Sequence, residues 1–281
     1  MEEGRPSRTA FGAAGHRASH QLFDQPLVLG DPLALTILGP EITDPMRADP
    51  EGAGRLGWKT LRALIVARSR VVEDLLAEAV AKGVNQYVLL GAGLDTFAYR
   101  SPHPGLKVFE VDYPATQAWK RERLATAGIA VPDSLTYAPI DFERQTLAEG
   151  LSNGGVDLAA PTIFAWLGVV PYLTREAIMA TLSGVAAFPA GSAVVFDYGE
   201  PRENMPPHIR AFAEARAQHV AAIGEPWISF FQPADLARDL AALGFTRIED
   251  LNGPILNERY FKDRADGLAV GPFAHVMRAG V

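Results

Sequence analysis

Five short, nearly unbroken apolar runs punctuate the chain, at 86–90, 108–112, 135–140, 162–167 and 193–198, each rich in β-branched, aliphatic or aromatic residues. Between them, apolar positions recur every three to four residues, the period of a helix with one buried face. Strands apolar on both faces, alternating with such helices, predict an α/β, doubly wound, largely parallel sheet. Ahead of the first strand the pattern predicts a weak helix over 9–20, a short helix opened by Asp31-Pro32 and ended by Gly39-Pro40, a Gly/Pro/Asp-rich loop to about 57, and a long helix over 60–82. Further helices are expected over 114–127 and, capped by Thr174, up to 188. The pattern then changes: 199–232 holds several prolines, a helical piece over 209–222, and Trp227, Phe230 and Phe231, and is read as an inserted helical lid. A helix over 233–243, stopped by Gly244, and strands over 245–251 and 273–277 close the chain. One domain is expected, with N-terminal helices over 9–82, a ligand-binding core over 86–198, the lid over 199–232 and closing elements over 233–281.

The sharpest local signal lies where the first run ends. Gly91-Ala92-Gly93 turns a buried strand abruptly, with two glycines that admit backbone angles a Cβ would forbid. Open α/β sheets bind nucleotides at such a turn. A dinucleotide fingerprint wants a third glycine where this chain has Thr96, which weakens the reading as an NAD-dependent oxidoreductase. The second run ends on Asp112, about twenty residues past the turn, the spacing of a carboxylate that accepts ribose hydroxyls. With Pro114 close behind, Asp112 reads equally as a helix cap. Strand ends share one edge of such a sheet, so Gly91, Asp112, Asp141 and Leu167 are expected around one crevice. Asp141 is a candidate for an adenine amino group or, again, a cap.

Arg68 sits within the apolar stripe of the long helix, among Leu61, Leu64, Ile65, Val72, Leu75, Leu76 and Ala79. An inward guanidinium needs an anion, either a ligand carboxylate or one of Asp74, Asp95 and Asp112, unless it snorkels along the core edge. His16 and His20 lie one turn apart without a third ligand nearby, so they are read as surface histidines and no metal is expected.

Composition narrows the partners. A formal net charge of -7 argues against a phosphate-neutralising surface, so nucleic acid is not expected. With 0 Cys there is neither a disulfide framework nor a thiolate nucleophile. No apolar run is long enough to span a bilayer, and the first residues lack the apolar block of a secretory signal, so the expectation is a cytoplasmic enzyme with no membrane partner. Oligomeric state is not legible.

At this point the residues match a family. GAGLDTFAYR (91–100), FEVDYPATQAWKRERL (109–124), Asp141-Phe142-Glu143, LGVVPYLT (167–174) and ERYF (258–261) together resemble the bacterial branch of the leucine carboxyl methyltransferase family, over nearly the whole chain. The chain departs from the family pattern at Leu167, often acidic, and at Phe97, often arginine. The resemblance implies a class I methyltransferase (Rossmann-like) fold, S-adenosyl-L-methionine as cofactor, and O-methyl transfer. It also implies that Arg68 grips the cofactor carboxylate and that Gly91, Ala92 and Gly93 pass beneath its methionine part. Asp112 with Tyr113 would hold the ribose, Asp141 and Phe142 the adenine, and Leu167 and Tyr172 the methionine end. The expected acceptor is a small-molecule oxygen, a carboxylate before a hydroxyl, because a carboxylate is already ionised at neutral pH and needs no base. His208 and His219 are the base candidates for a hydroxyl, and Tyr198, Trp227, Phe230 and Phe231 are candidate substrate contacts. A protein that binds S-adenosylmethionine without catalysis is the alternative of another class.

Overall fold

The apolar runs pair into a seven-stranded sheet in the computed structural model, which describes residues 7–140 and 146–281. In chain order the strands are β1 (Gln86–Leu90), β2 (Lys107–Asp112), β3 (Leu135–Pro139), β4 (Thr162–Trp166), β5 (Ala193–Gly199), β6 (Arg247–Asn252) and β7 (Ala274–Gly280). Their spatial order is β3-β2-β1-β4-β5-β7-β6, with β1 to β5 parallel and β7 antiparallel to both β5 and β6. This is the expected doubly wound sheet with its closing antiparallel strand. The helices are α1 (Arg8–Phe23), α2 (Ala34–Leu38), α3 (Pro40–Ala48), α4 (Pro50–Gly54), α5 (Leu56–Val80), α6 (Pro114–Thr126), α7 (Leu147–Asn153), α8 (Arg175–Ala186), α9 (Pro207–Ala222), α10 (Pro233–Ala242) and α11 (Gly253–Tyr260).

Alternate residues of β1 feed opposite layers. Tyr87 and Leu89 pack with Val66, Val72 and Leu76 of α5, while Val88 and Leu90 pack with Leu151 of α7, Leu182 of α8 and Leu236 of α10. Burial on both faces is why the strands carry continuous rather than alternating apolar character. A third cluster joins Ala14 and Ala18 of α1, Ile37 and Leu38 of α2, and Leu124 of α6 to Leu94, just beyond the glycine turn. The N-terminal helices are thereby seated beside that turn.

Three stretches differ from the sequence reading. The expected loop to residue 57 contains α3 and α4, each starting with a proline at its first position, where the missing N–H costs nothing. Helix α7 follows a reciprocal capping box between Thr146 and Glu149, and α11 is capped by the Asn252 side chain on the Ile255 N–H. Both are short and had not been anticipated. Among the described residues no helix is long and apolar enough to cross a membrane.

The strand order reverses between β1 and β4, whose carboxyl ends therefore diverge around a crevice.

Candidate active site

The turn after β1 is held open by geometry that only glycine allows. Gly91 and Gly93 have φ of 72° and 49°. A Cβ on Gly91 would lie 2.5 Å from Val169 Cγ2, and one on Gly93 would come within 3.0 Å of Ala10 in α1. The Gly91 and Ala92 N–H groups donate to the Val111 carbonyl, binding the turn to β2. Leu94 O accepts from Arg17 of α1, and the Thr96 hydroxyl donates to Asp31 at 2.6 Å. Threonine at the third-glycine position thus has its own task, anchoring the turn to the N-terminal layer.

Asp112 spans the crevice floor. Its Oδ2 accepts from the Gly93 N–H at 2.6 Å and its Oδ1 from the Tyr113 N–H at 2.7 Å. Burial pushes its carboxyl upward, while the two amide hydrogen bonds pull it back. The capping alternative fails, because the residue before α6 is Tyr113 and no side chain caps that helix. Each oxygen keeps a lone pair for a further donor. Asp141 and Phe142 lie outside the described residues.

Arg68 meets an anion that the sequence reading did not name. Its Nη1 lies 2.8 Å from Asp197 Oδ2 on β5, rather than near Asp74, Asp95 or Asp112. Those three are otherwise engaged: Asp74 with Arg70 and Tyr260, Asp95 with the Phe97 N–H, and Asp112 as described. Asp197 Oδ1 accepts from the Gly168 N–H at 2.6 Å, so one carboxylate ties α5, β5 and the end of β4 together. The rest of the guanidinium lies over Gly168, where a Cβ would fall 2.7 Å from Nη2. The signal for Asp197 was present, since a lone carboxylate interrupts the otherwise apolar Val194-Val195-Phe196 run. Leu167 packs against the layer under α5, and Tyr172 closes a short 3-10 turn, Val170–Tyr172.

The segment from 200 to 232 returns along that turn. The Ile228 N–H donates to the Pro171 carbonyl at 2.7 Å, and the Phe231 N–H to the Gly199 carbonyl at 3.0 Å. Of the four candidate substrate aromatics, two are core residues. Tyr198 and Phe231 are only 3% and 2% exposed and pack edge to face on each other. The Tyr198 hydroxyl donates to Asp250 at 2.9 Å, and its ring stacks on His275. These two are thereby spent on fastening the segment to the sheet. Phe230 and Trp227 are partly exposed, with Arg202 over the first and Arg216 over the second.

The histidines reverse the surface reading. His20 is fully buried, with Nδ1 2.8 Å from Asp24 and Nε2 accepting from the Val28 N–H at 3.0 Å. Its i,i+4 spacing from Asp24 and the neighbouring Arg62–Asp24 pair make it a structural core histidine. His16, 6% exposed, lies against the tilted ring of Trp58. Burial and the fields of Arg216, Arg62 and Arg68 hold its imidazole down at about 3, so it is neutral at physiological pH. The base candidates His208 and His219 are exposed on α9. His275 has Nδ1 3.0 Å from Asp250 and Nε2 2.8 Å from Glu200, so neither nitrogen is free.

With this geometry in view, the chain was compared with known proteins. Residues 10–186 match the family model described as leucine carboxyl methyltransferase. A Bacillus subtilis (strain 168) protein named "Putative S-adenosyl-L-methionine-dependent methyltransferase YktD" is 31% identical, covering 99% of both chains. A Frankia alni protein (strain DSM 45986) of the same designation, FRAAL3718, is 37% identical over 65% of this chain and 64% of its own. A crystal structure from Thermobifida fusca YX described as that of "a putative methyltransferase" superposes with a TM-score of 0.56 at 16% identity, covering 99% of this chain and 96% of that one.

Proposed function

This chain belongs to the leucine carboxyl methyltransferase family and is an S-adenosylmethionine-dependent methyltransferase, and we propose that it methylates an oxygen of a small molecule, a carboxylate in preference to a hydroxyl. The observation that carries this reading is the state of the histidines. A hydroxyl acceptor needs a base near neutrality, yet His208 and His219 are exposed on α9, His275 has both nitrogens engaged by carboxylates, and His16 is held down at about 3. An ionised carboxylate needs none of them.

The crevice fits the cofactor. The positive-φ turn at Gly91 to Gly93 admits a ligand against bare backbone, and a side chain at Gly91 would collide with Val169. Arg68 spends one nitrogen on Asp197, which leaves donors for the cofactor carboxylate, and Asp112 keeps acceptor capacity for ribose hydroxyls. Tyr113 would flank the ribose, and Leu167 and Tyr172 the methionine end; Asp141 and Phe142 stay assigned to adenine by resemblance alone. The bound cofactor supplies an electrophilic methyl group on a sulfonium. With Arg68, Asp112 and the Gly91–Gly93 turn holding the donor, the chain's part would be to align an acceptor oxygen with the methyl carbon and to exclude water. Segment 199–232 would act as the lid.

The test is product chemistry. Protein incubated with methyl-labelled cofactor and a small-molecule extract should yield a labelled product that releases volatile methanol in mild alkali, as a methyl ester does. A labelled product stable to alkali would refute carboxyl methylation.

A further inference from the structure

Among the described residues Arg216 is a cation without a counter-ion. It projects from α9, and among the described residues it has no hydrogen bond or ion pair, only the face of Trp227 with its Cζ 5.4 Å from the ring centroid. The carboxylates nearest in sequence do not serve it: Glu214 is exposed, and Glu225 is committed to the first turn of α1, accepting from the Arg8 N–H at 2.7 Å and the Thr9 N–H at 3.0 Å. The other two arginines whose fields reach His16 are neutralised, Arg62 by Asp24 and Arg68 by Asp197. A partly buried guanidinium with no anion is less favourable than one that a ligand pairs.

His16 faces the same region from α1. It is buried, has the tilted ring of Trp58 with its centroid 5.1 Å away, and its ring nitrogens have no hydrogen-bond partner among the described residues. The Glu225 contacts hold the end of the 200–232 segment against the start of α1, which keeps α9 beside that helix. Tyr172, at the methionine end in the reading above, is a side chain whose field acts on Arg216. Arg216 with Trp227, and His16 with Trp58, thus stand close enough for the guanidinium's field to reach the imidazole, although the whole chain is acidic at -7.

We propose that Arg216 and His16 form the seat of the acceptor's carboxylate, Arg216 as its charge partner and His16 as a neutral hydrogen-bonding group, with Trp227 and Trp58 flanking an apolar, flat body. Burial lowers the guanidinium's own proton affinity, the cost that a bound anion relieves. His16 stays uncharged and does not compete with Arg216 for the anion. The proposal rests on the carboxylate reading of the preceding subsection and adds the residues that select for it.

The indoles make the test direct. Protein saturated with S-adenosylhomocysteine is titrated with benzoate and with benzamide, its neutral isostere, following tryptophan fluorescence. Benzoate is expected to bind at least tenfold more tightly. Arg216→Gln should erase that preference and His16→Leu weaken it severalfold, while affinity for S-adenosylhomocysteine stays within twofold and the melting temperature is kept. Arg216→Lys, which retains the charge, should keep part of the preference. Equal or undetectable binding of the two probes, or a preference that survives Arg216→Gln, would overturn the assignment. Failure to bind S-adenosylhomocysteine at all is a separate result, and it would strike the cofactor reading instead.

Discussion

In the proposed site Arg68 would serve a cofactor carboxylate besides Asp197, and a pair of substitutions separates the two roles. Its side chain and that of Asp197 are only 12% and 7% exposed, so Arg68→Leu strands a buried carboxylate and should cost roughly 3 kcal/mol of stability besides weakening S-adenosylhomocysteine binding. Adding Asp197→Asn, which keeps an acceptor for the Gly168 N–H, should restore much of the stability but none of the affinity. Recovery of both, by urea melts and calorimetry, would leave Arg68 with a structural role only. Sequence reading found Arg68 because a cation in an apolar stripe is conspicuous; it missed the partner because Asp197 lies on a distant strand, and local spacing carries no information about which strand neighbours α5. The buried pair Glu110–Lys120, 2.7 Å apart with each side chain 1% exposed, was missed for the same reason. Burial pushes the Glu110 carboxyl up to about 7, with Lys120 opposing. Its folded-state pKa lies above the ordinary 4.5, so the folded chain holds this proton more tightly than the unfolded one does. The group's contribution to stability is then full below about pH 4.5 and is lost as pH rises through about 7. Lys120→Met removes the opposing charge. It should cost little at pH 5 and roughly 2 to 3 kcal/mol at pH 8 in urea melts. Equal losses at both pH values would mean that Glu110 does not change charge across that range.

Between elements, the contact that most affects the crevice is the clasp of Glu225 on α1. The carboxylate is 9% exposed and accepts from two backbone N–H groups of the first turn and from the Ser7 and Thr9 hydroxyls. It satisfies donors that a helix start leaves open and places negative charge at the positive end of the helix dipole. Glu225→Gln keeps the shape but removes the charge and one acceptor. It should cost about 1 to 2 kcal/mol and speed amide exchange in both 8–14 and 207–222. Faster exchange in α1 alone would show that the clasp caps a helix without holding the 200–232 segment. No sequence pattern announces this contact, because its partners stand more than two hundred residues apart. The elements themselves were far more legible. All seven strands and the long helix appear at or near their expected places, because central strands buried on both faces and a helix buried on one leave strong signals, and the edge strands β3 and β6 follow from their apolar residues and flanking turns. The short helices α3, α4, α7 and α11 escaped because about two and a half turns or fewer give periodicity little to repeat, so only their caps and prolines marked them. The aromatic run near the end of the 200–232 segment was legible as apolar but not as to direction, and Phe231 turned inward to Tyr198.

At the scale of the whole molecule, the crevice is assembled from parts remote in sequence. Helix α1 covers the glycine turn through Ala10, β2 supplies Asp112, α5 and β5 supply the Arg68–Asp197 pair, and the returning segment is pinned at Pro171 and Gly199. A ligand that touches all of these binds only the folded chain, so its binding energy adds to global stability rather than to one loop. At a free concentration one hundred times its dissociation constant, S-adenosylhomocysteine should raise the unfolding free energy by about 2.7 kcal/mol. NADH should raise it not at all, since Thr96 fills the third-glycine position with a hydroxyl fixed on Asp31. The salt response follows from the same burial. The cofactor carboxylate would meet Arg68 where its side chain is 12% exposed, so screening acts weakly, and affinity should change less than threefold between 50 and 500 mM salt, a range over which exposed ion pairs fade. Calorimetry across that range, with urea melts at fixed ligand excess, measures both quantities. Stabilisation by NADH, or a steep loss of S-adenosylhomocysteine affinity with salt, would place the ligand on the surface of the sheet edge and not within the crevice described above.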